Sequence, residues 1–162
     1  MKILVDADGS NRVHEIVRIA GQYKVKVALF CDVSRELYSK HADIIYCDTH
    51  RDSADITLFN QCRKGDIVVT RDIGLAGIVL AKGARVLHGS GRIIDDRSIE
   101  LDLTYRAMKQ KIRRNTKHYS QSRKVTFGYE NNRDFDFCQN LARMIREAQD
   151  EEPESRTEAH AG

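Results

Sequence analysis

Short apolar runs alternate along the chain with stretches in which apolar residues recur every three or four positions. The runs predict buried strands, and the wider spacing predicts helices that pack on them. Five strands are predicted, at residues 3–5, 25–31, 43–47, 67–70 and 84–87. Helices are predicted between them, at residues 13–20, 34–40, 52–61 and 73–82. This alternation predicts an α/β fold, a three-layer α/β/α sandwich whose central sheet is mainly parallel.

The last third of the chain departs from this alternation. A basic helix is predicted at residues 95–113, and residues 115–133 have little periodicity and are expected to form a mobile loop. An amphipathic helix is then predicted at residues 135–145. We therefore predict one domain over residues 1–148, followed by a disordered acidic tail over residues 149–162.

Length and composition fit a single globular domain. The chain has 162 residues, of which 41% are hydrophobic and 31% are charged. No stretch approaches the roughly 18 apolar residues of a membrane helix, and the first residues do not form a secretory signal. The four cysteines form no C-x-x-C pair, and the histidines show no zinc-site spacing. We therefore expect reduced thiols in a cytoplasmic protein.

The formal net charge of +3 conceals an uneven distribution of charge. Residues 106–124 contain eight Lys and Arg residues and no acid, whereas residues 150–162 contain five acids and one base. A basic segment on a folded domain suits a polyanion such as nucleic acid, although a solvated basic helix with no ligand has the same composition. The candidate phosphate-binding residues are Arg106, Lys109, Arg113, Arg114 and Lys117.

Acidic residues follow three of the predicted strands. Asp6 and Asp8 follow the first strand, Asp52 and Asp55 the third, and Asp72 the fourth. In a doubly wound sheet these strand ends meet at the crevice where the strand order reverses. Carboxylates gathered there repel one another, and Mg²⁺ or Mn²⁺ relieves that repulsion by taking oxygen ligands. A single Asp after a strand is also an ordinary helix cap, and for Asp52 and Asp72 that interpretation stays open.

An acidic metal site beside a basic segment predicts phosphodiester chemistry. Acids hold the ion that activates water and neutralises a phosphoryl oxygen, while bases hold the nucleic-acid backbone. We expect Asp6 and Asp72 to be the primary metal ligands, with Asp8 and Asp55 completing the shell or orienting the attacking water. The leading prediction is a Mg²⁺- or Mn²⁺-dependent nuclease acting on RNA, whose catalytic residues are Asp6, Asp8 and Asp72.

Two other functions remain open. Residues 5–10 read Val-Asp-Ala-Asp-Gly-Ser, which resembles the first motif of haloacid-dehalogenase-type phosphatases. In that interpretation Asp6 attacks phosphorus and Asp8 protonates the leaving group, although only Asp72 lies where the later acid pair of such enzymes belongs. The second alternative is a non-catalytic RNA- or ribosome-associated binding protein, which predicts salt-sensitive RNA binding without cleavage.

Four ordered motifs resemble one family of small bacterial proteins. They are Lys-Ile-Leu-Val-Asp-Ala-Asp at residues 2–8, Asp-Ser-Ala-Asp at 52–55, a twelve-residue segment at 65–76, and Lys-Gly-Ala at 82–84. Together they resemble the YaiI/YqxD family over roughly residues 1–106. A D-x-D motif alone is common, so the order of the four carries the resemblance.

The resemblance implies a fold similar to PIN-domain nucleases and a Mg²⁺-dependent nuclease site. The acidic positions that match the family are Asp6, Asp8, Asp55 and Asp72. The family has an arginine three residues after a leucine, and Arg106, three residues after Leu103, resembles it. At residues 9–11 this chain has Gly-Ser-Asn where the family usually has Ala-Cys-Pro, so the entry to the first helix differs.

Overall fold

A computed structural model describes residues 1–49, 53–115 and 136–151. Its strands are β1 (Ile3–Asp6), β2 (Val27–Asp32), β3 (Asp43–Cys47), β4 (Ile67–Thr70), β5 (Arg85–His88) and β6 (Ile93–Ile94). Its helices are α1 (Val13–Gln22), α2 (Ser53–Gln61), α3 (Ile73–Ala81), α4 (Asp96–Asn115) and α5 (Phe137–Glu151). None of the helices in these ranges is long and apolar enough to span a membrane.

The strands form one sheet in the order β3-β2-β1-β4-β5-β6. The first five are parallel, and β6 pairs antiparallel with β5. From β1 the chain builds outward through β2 to β3, and it then returns to place β4 on the other side of β1. The order therefore reverses between β1 and β4, and a crevice is expected at the carboxyl ends of these two strands.

Helices cover both faces of the sheet, which confirms the predicted three-layer sandwich. Ile3 and Val5 of β1 pack in a core with α1 and α5, whereas Leu4 packs in a second core with α2 and α3. All three side chains are fully buried. The continuous apolar runs of the central strands follow from this burial on both faces, which is typical of parallel sheets.

Helix α4 packs on α3, and hydrogen bonds in its first turn define where it begins. Asp95 and Ser98 form a reciprocal cap, because the Asp95 carboxylate accepts the Ser98 N–H at 2.8 Å and the Ser98 hydroxyl accepts the Asp95 N–H at 2.9 Å. Gly77 of α3 faces α4, since a Cβ there would lie in ordinary van der Waals contact with Ile99 Cγ1, at 3.7 Å. This packing brings the middle of α4 to the end of β4.

The predicted helix at residues 34–40 is wrong, because the chain there is a turn followed by irregular backbone. The Asp32 carboxylate accepts the Ser34 N–H at 2.7 Å, an Asx turn that competes with helical hydrogen bonds. Contacts with the loop after β1 also hold this segment, since the Arg35 guanidinium donates to the Ala7 and Ser10 carbonyls. We call residues 33–42 the β2–β3 connection.

The C-terminal elements run slightly further than predicted. Helix α4 continues to Asn115, and α5 continues to Glu151, so residues 149–151 are helical rather than part of a tail. The rest of the predicted loop, residues 116–133, and of the acidic tail, residues 152–162, lies outside the described residues. All four cysteines are free thiols.

Candidate functional site

Asp6 lies at the point where the strand order reverses. It is the last residue of β1, is half-buried, and accepts a hydrogen bond from the hydroxyl of Thr70, the last residue of β4, at 3.0 Å. Gly9 also lies against this carboxylate, since a Cβ there would be 3.5 Å from Asp6 Oδ2, and its backbone N–H lowers the pKa of Asp6. The loop after β1 is therefore folded back over Asp6, and the two central strands are joined by a side-chain hydrogen bond at their carboxyl ends.

The surroundings of Asp6 oppose its ionisation. Burial raises the pKa of Asp6 above its ordinary value of 3.8, and the hydrogen bond from Thr70 partly offsets that effect. The negative charges of Asp8 and Asp72 raise this pKa further. A carboxylate that is both desolvated and beside other acids favours a proton or a cation as its partner. Perturbed carboxyl groups of this kind are common at functional sites.

Asp8 is held on the β2 side of this acidic edge. Its Oδ2 accepts the Asp32 N–H at 2.9 Å, and its Oδ1 lies 3.8 Å from the Arg35 guanidinium. Arg35 thus places a positive charge beside an acid predicted to serve a metal. Sequence reasoning missed Arg35, because it assigned that segment to a helix and no motif marks the residue.

Asp72 lies on the other side of Asp6 and caps α3. Its Oδ1 accepts the N–H groups of Gly74 at 2.7 Å and Leu75 at 3.1 Å. The same oxygen lies 3.9 Å from Nη1 of Arg106, which α4 brings to this point. A Cβ at Gly74 would lie 3.0 Å from Asp72 Oδ1 and 3.3 Å from Arg106 Nη1, so glycine leaves room for this contact. The cap interpretation of Asp72 is confirmed, and its charge still acts on Asp6.

Asp55 and Asp72 face a shared groove with Arg106. The groove has a volume of about 340 Å³ and lies among α2, α3 and α4. Apolar side chains, including those of Ile56 and Ile78, form the rest of its lining. The structure therefore divides the four predicted acids. Two lie in this groove, while Asp6 and Asp8 lie at the crevice, and the charge of Asp72 acts on Asp6.

The described residues contain no group of three or more His, Cys, Asp or Glu side chains placed to hold a metal ion. A cation site built from these residues would have fewer protein ligands than the four-acid shell predicted from the sequence. Mg²⁺ is often bound by one or two carboxylates together with water and substrate phosphates. The acids at this edge fit that kind of site, in which the substrate completes the ligand shell.

The predicted phosphate-binding residues divide in a similar way. Arg106 is exposed and lies beside Asp72. Lys109, Arg113 and Arg114 belong to α4, but their side chains lie outside the described part of the molecule. Lys117 and Asp52 fall wholly outside it. Of the predicted bases, Arg106 is thus the one whose side chain is described, and it lies at the acidic edge.

Further basic groups lie beyond β4 and β5. The Arg71 side chain covers Gly89, where a Cβ would lie only 2.7 Å from Arg71 Cγ. Burial lowers the pKa of His88 from its ordinary value of 6.5, and the nearby charges of Arg92 and Arg71 lower it further. His88 therefore lies among cations, which favours its neutral form.

A family model and several individual relatives match this chain. The model of a family described as uncharacterised, the YaiI/YqxD family, matches residues 4–147. A UPF0178 protein of Alkaliphilus oremlandii is 45% identical over 126 residues, which cover 78% of this chain and 81% of the relative. One from Natranaerobius thermophilus is 43% identical over 119 residues, covering 73% and 81% respectively. One from Clostridium tetani is 40% identical over 114 residues, covering 70% and 78%.

No solved structure matches the chain, so the likeness to PIN-domain nucleases stays a prediction. The names of the relatives state no activity, ligand or cofactor. The family model nevertheless spans the sheet, the acidic edge and most of α5. With these relatives aligned over 70% or more of its length, the chain belongs to the YaiI/YqxD family.

Proposed function

We propose that this protein is a Mg²⁺- or Mn²⁺-dependent nuclease that cleaves RNA phosphodiesters at the carboxyl edge of the sheet. The observation that carries the proposal is the electrostatic coupling of Asp6 to Asp8 and Asp72 at the strand reversal, with Arg106 3.9 Å from Asp72. Carboxylates that raise one another's cost of ionisation favour a cation, and a base beside them favours a phosphate.

Asp6 and Asp72 would hold the ion between β1 and β4. The hydrogen bonds of Asp6 to Thr70 and of Asp72 to the α3 N–H groups restrict both side chains before any ligand arrives. When bound, the divalent cation supplies an activated water and neutralises charge on the phosphoryl oxygens. Because few protein ligands are available, we expect affinity for the ion to rise when an RNA phosphate is present.

The other residues bind and orient the substrate. Arg106 donates to a phosphate oxygen from the groove side, and Asp55 on the groove wall orients water near the cation. Asp8, restrained by Asp32 and Arg35, does the same from the β2 side. Lys109, Arg113, Arg114 and Lys117 hold the strand further along the backbone through charge that carries no sequence information.

The test is cleavage of a labelled RNA with Mg²⁺ or Mn²⁺ by the full chain and its Asp6→Asn and Asp72→Asn variants. Loss of a metal ligand should lower the rate about 100-fold or more, equivalent to about 2.7 kcal/mol of transition-state stabilisation. Asp43→Asn is the matched control, since Asp43 is an exposed acid at the start of β3. Equal rates in all four proteins would refute the assignment.

A non-catalytic RNA-binding protein is the second candidate function. It is favoured by the engagement of Asp72 Oδ1 in capping α3 and by the lack of a three-ligand metal group among the described residues. It predicts RNA binding that weakens steeply with salt, with no metal-dependent cleavage. Neutralising Lys109, Arg113 and Arg114 together should then abolish binding, while Asp6→Asn should leave it intact.

A parallel assay with a small phosphomonoester tests the phosphatase interpretation, which requires turnover that depends on Asp6.

A further inference from the structure

A basic cleft lies on the β2 side of the sheet edge, on the face that α1 covers. It has a volume of about 660 Å³ and opens between α1 and the β2–β3 connection. Buried Leu29 and the half-buried side chains of Val13 and Leu37 give it an apolar part. Its size falls in the range of small-molecule sites, about 300–1,000 Å³.

The charged lining of the cleft favours an anion. Arg18, Arg35 and Lys40 line it together with a single acid, Glu36, which gives a formal charge of +2 when the two lining histidines are neutral. A phosphate monoester carries about −1.5 to −2 charges at pH 7. The guanidinium of Arg35 is also held in place by the Ala7 and Ser10 carbonyls, so one cation is positioned in advance.

An aromatic ring is available at the same place. Tyr38 lines the cleft and is 80% exposed, compared with 61% for Met108 and 50% for Tyr46, two other exposed large side chains. The backbone beside it is restrained, because the Tyr46 hydroxyl donates to the Leu37 carbonyl at 3.1 Å. An exposed ring on a restrained segment is a stacking surface for a nucleobase.

We propose that this cleft binds one nucleotide of the RNA substrate, with its phosphate on Arg18, Arg35 and Lys40 and its base on Tyr38. The class of ligand rests on the proposed nuclease function. The cleft adjoins the acidic edge through Arg35, which lies 3.8 Å from Asp8. A nucleotide held there fixes the position of the strand relative to Asp6, so the cleft is a substrate-positioning site.

The test is equilibrium titration of the full chain with adenosine 5′-monophosphate in EDTA, followed by NMR or calorimetry. We expect saturable binding at one site, with adenosine and inorganic phosphate each binding at least tenfold more weakly. Tyr38→Ala should weaken binding of the nucleotide about tenfold through lost stacking. The double variant Arg18→Ala/Lys40→Ala should weaken nucleotide binding by a similar factor and leave adenosine binding unchanged.

Lys26→Ala is the matched control, because Lys26 is an exposed base at the opposite end of β2 and should bind the nucleotide as the wild type does. Asp6→Asn separates the two proposals, since it should abolish cleavage and retain nucleotide binding. RNA cleavage without nucleotide binding in EDTA would overturn the cleft assignment alone. Equal affinity for phosphate and nucleotide, or an unchanged Tyr38→Ala variant, would overturn it as well.

Discussion

Two aspartates at opposite ends of the central strands differ in how the protein accommodates them. Asp66, just before β4, is only 4% exposed, and its two oxygens accept the backbone N–H groups of Lys2 at 3.0 Å and Arg63 at 2.9 Å. Asp6, at the end of β1, is half-buried and faces the charges of Asp8 and Asp72. Asp66 therefore links the starts of β1 and β4 to the turn before β4 by hydrogen bonds. The ionisation of Asp6, by contrast, is disfavoured by burial and by the neighbouring negative charges, and a side-chain hydrogen bond only partly offsets this.

The difference separates a structural acid from a candidate functional one. A buried carboxylate whose oxygens accept backbone N–H bonds contributes to stability and needs no ligand. A buried carboxylate beside other acids costs stability when ionised, and such groups cluster at functional sites. Burial alone does not distinguish the two cases, but the partners of each carboxylate do.

The largest expected effect on stability belongs to Asp66→Ala. The variant loses two hydrogen bonds to a charged acceptor and leaves backbone donors unpaired, at a cost of about 3 kcal/mol in the free energy of unfolding. Urea denaturation measures this cost, and Asp43→Ala is the exposed control, expected to change it by about 0.5 kcal/mol or less. A loss below about 1 kcal/mol for Asp66→Ala would remove the contrast with Asp6.

Asp72→Ala should cost about 1–2 kcal/mol, because it removes the cap of α3. Asp72→Asn retains an oxygen that accepts the Gly74 and Leu75 N–H groups, so most of that stability should return. Cleavage of RNA should remain lost in both variants. Recovery of cleavage in Asp72→Asn would make Asp72 a structural residue like Asp66.

Divalent cations should stabilise the folded protein through Asp6. At a free Mg²⁺ or Mn²⁺ concentration ten times the Kd, the free energy of unfolding should rise by about 1.4 kcal/mol. Thermal melts with and without the metal measure the effect, which should vanish in Asp6→Asn and persist in Asp66→Asn. A gain that survives Asp6→Asn would place the bound ion elsewhere.

The smallest expected effect is the contribution of Asp6 to the pH dependence of stability. The pKa of Asp6 is raised in the folded state, so the folded protein binds the proton more tightly than the unfolded chain does. The stabilising contribution of this proton is therefore complete below the ordinary pKa of 3.8 and is lost as the pH rises through the folded-state value. As the pH rises through that value, the free energy of unfolding of Asp6→Asn should increase relative to that of the wild type. Urea titrations without metal at several pH values measure this difference. A difference that does not change with pH would contradict a raised pKa for Asp6 in the folded protein.

The parallel direction of the main strands and the positions of the acids after them could be predicted from the sequence because both depend on local patterns. Apolar runs such as Ile67–Thr70 define strands by themselves, and parallel strands necessarily place Asp6 and Asp72 at one edge. The caps of α3 and α4 are equally local. These features need only the order of residues and the direction of the strands.

The parts that the sequence concealed depend on contacts between distant residues. Val33 and Leu37 have helical spacing, yet Arg35 bonds to Ala7, 28 positions away, and the segment becomes an irregular wall of the basic cleft. The capture of Asp8 by the N–H of Asp32 is also long-range. Family resemblance named the four acids as a group, but it carries no information on which of them lie in the same groove.

The last helix has a consequence for how the protein is made. Phe137, Leu141, Met144 and Ile145 of α5 are buried in the core that also contains α1 and residues of the central strands, which the ribosome synthesises long before them. Until α5 emerges, one side of the nascent sheet exposes apolar surface that is open to chaperones and to aggregation. Nascent chains stalled before residue 136 are therefore expected to bind chaperones or to aggregate rather than to reach the native fold. Folding of the domain then depends on completing the synthesis of α5.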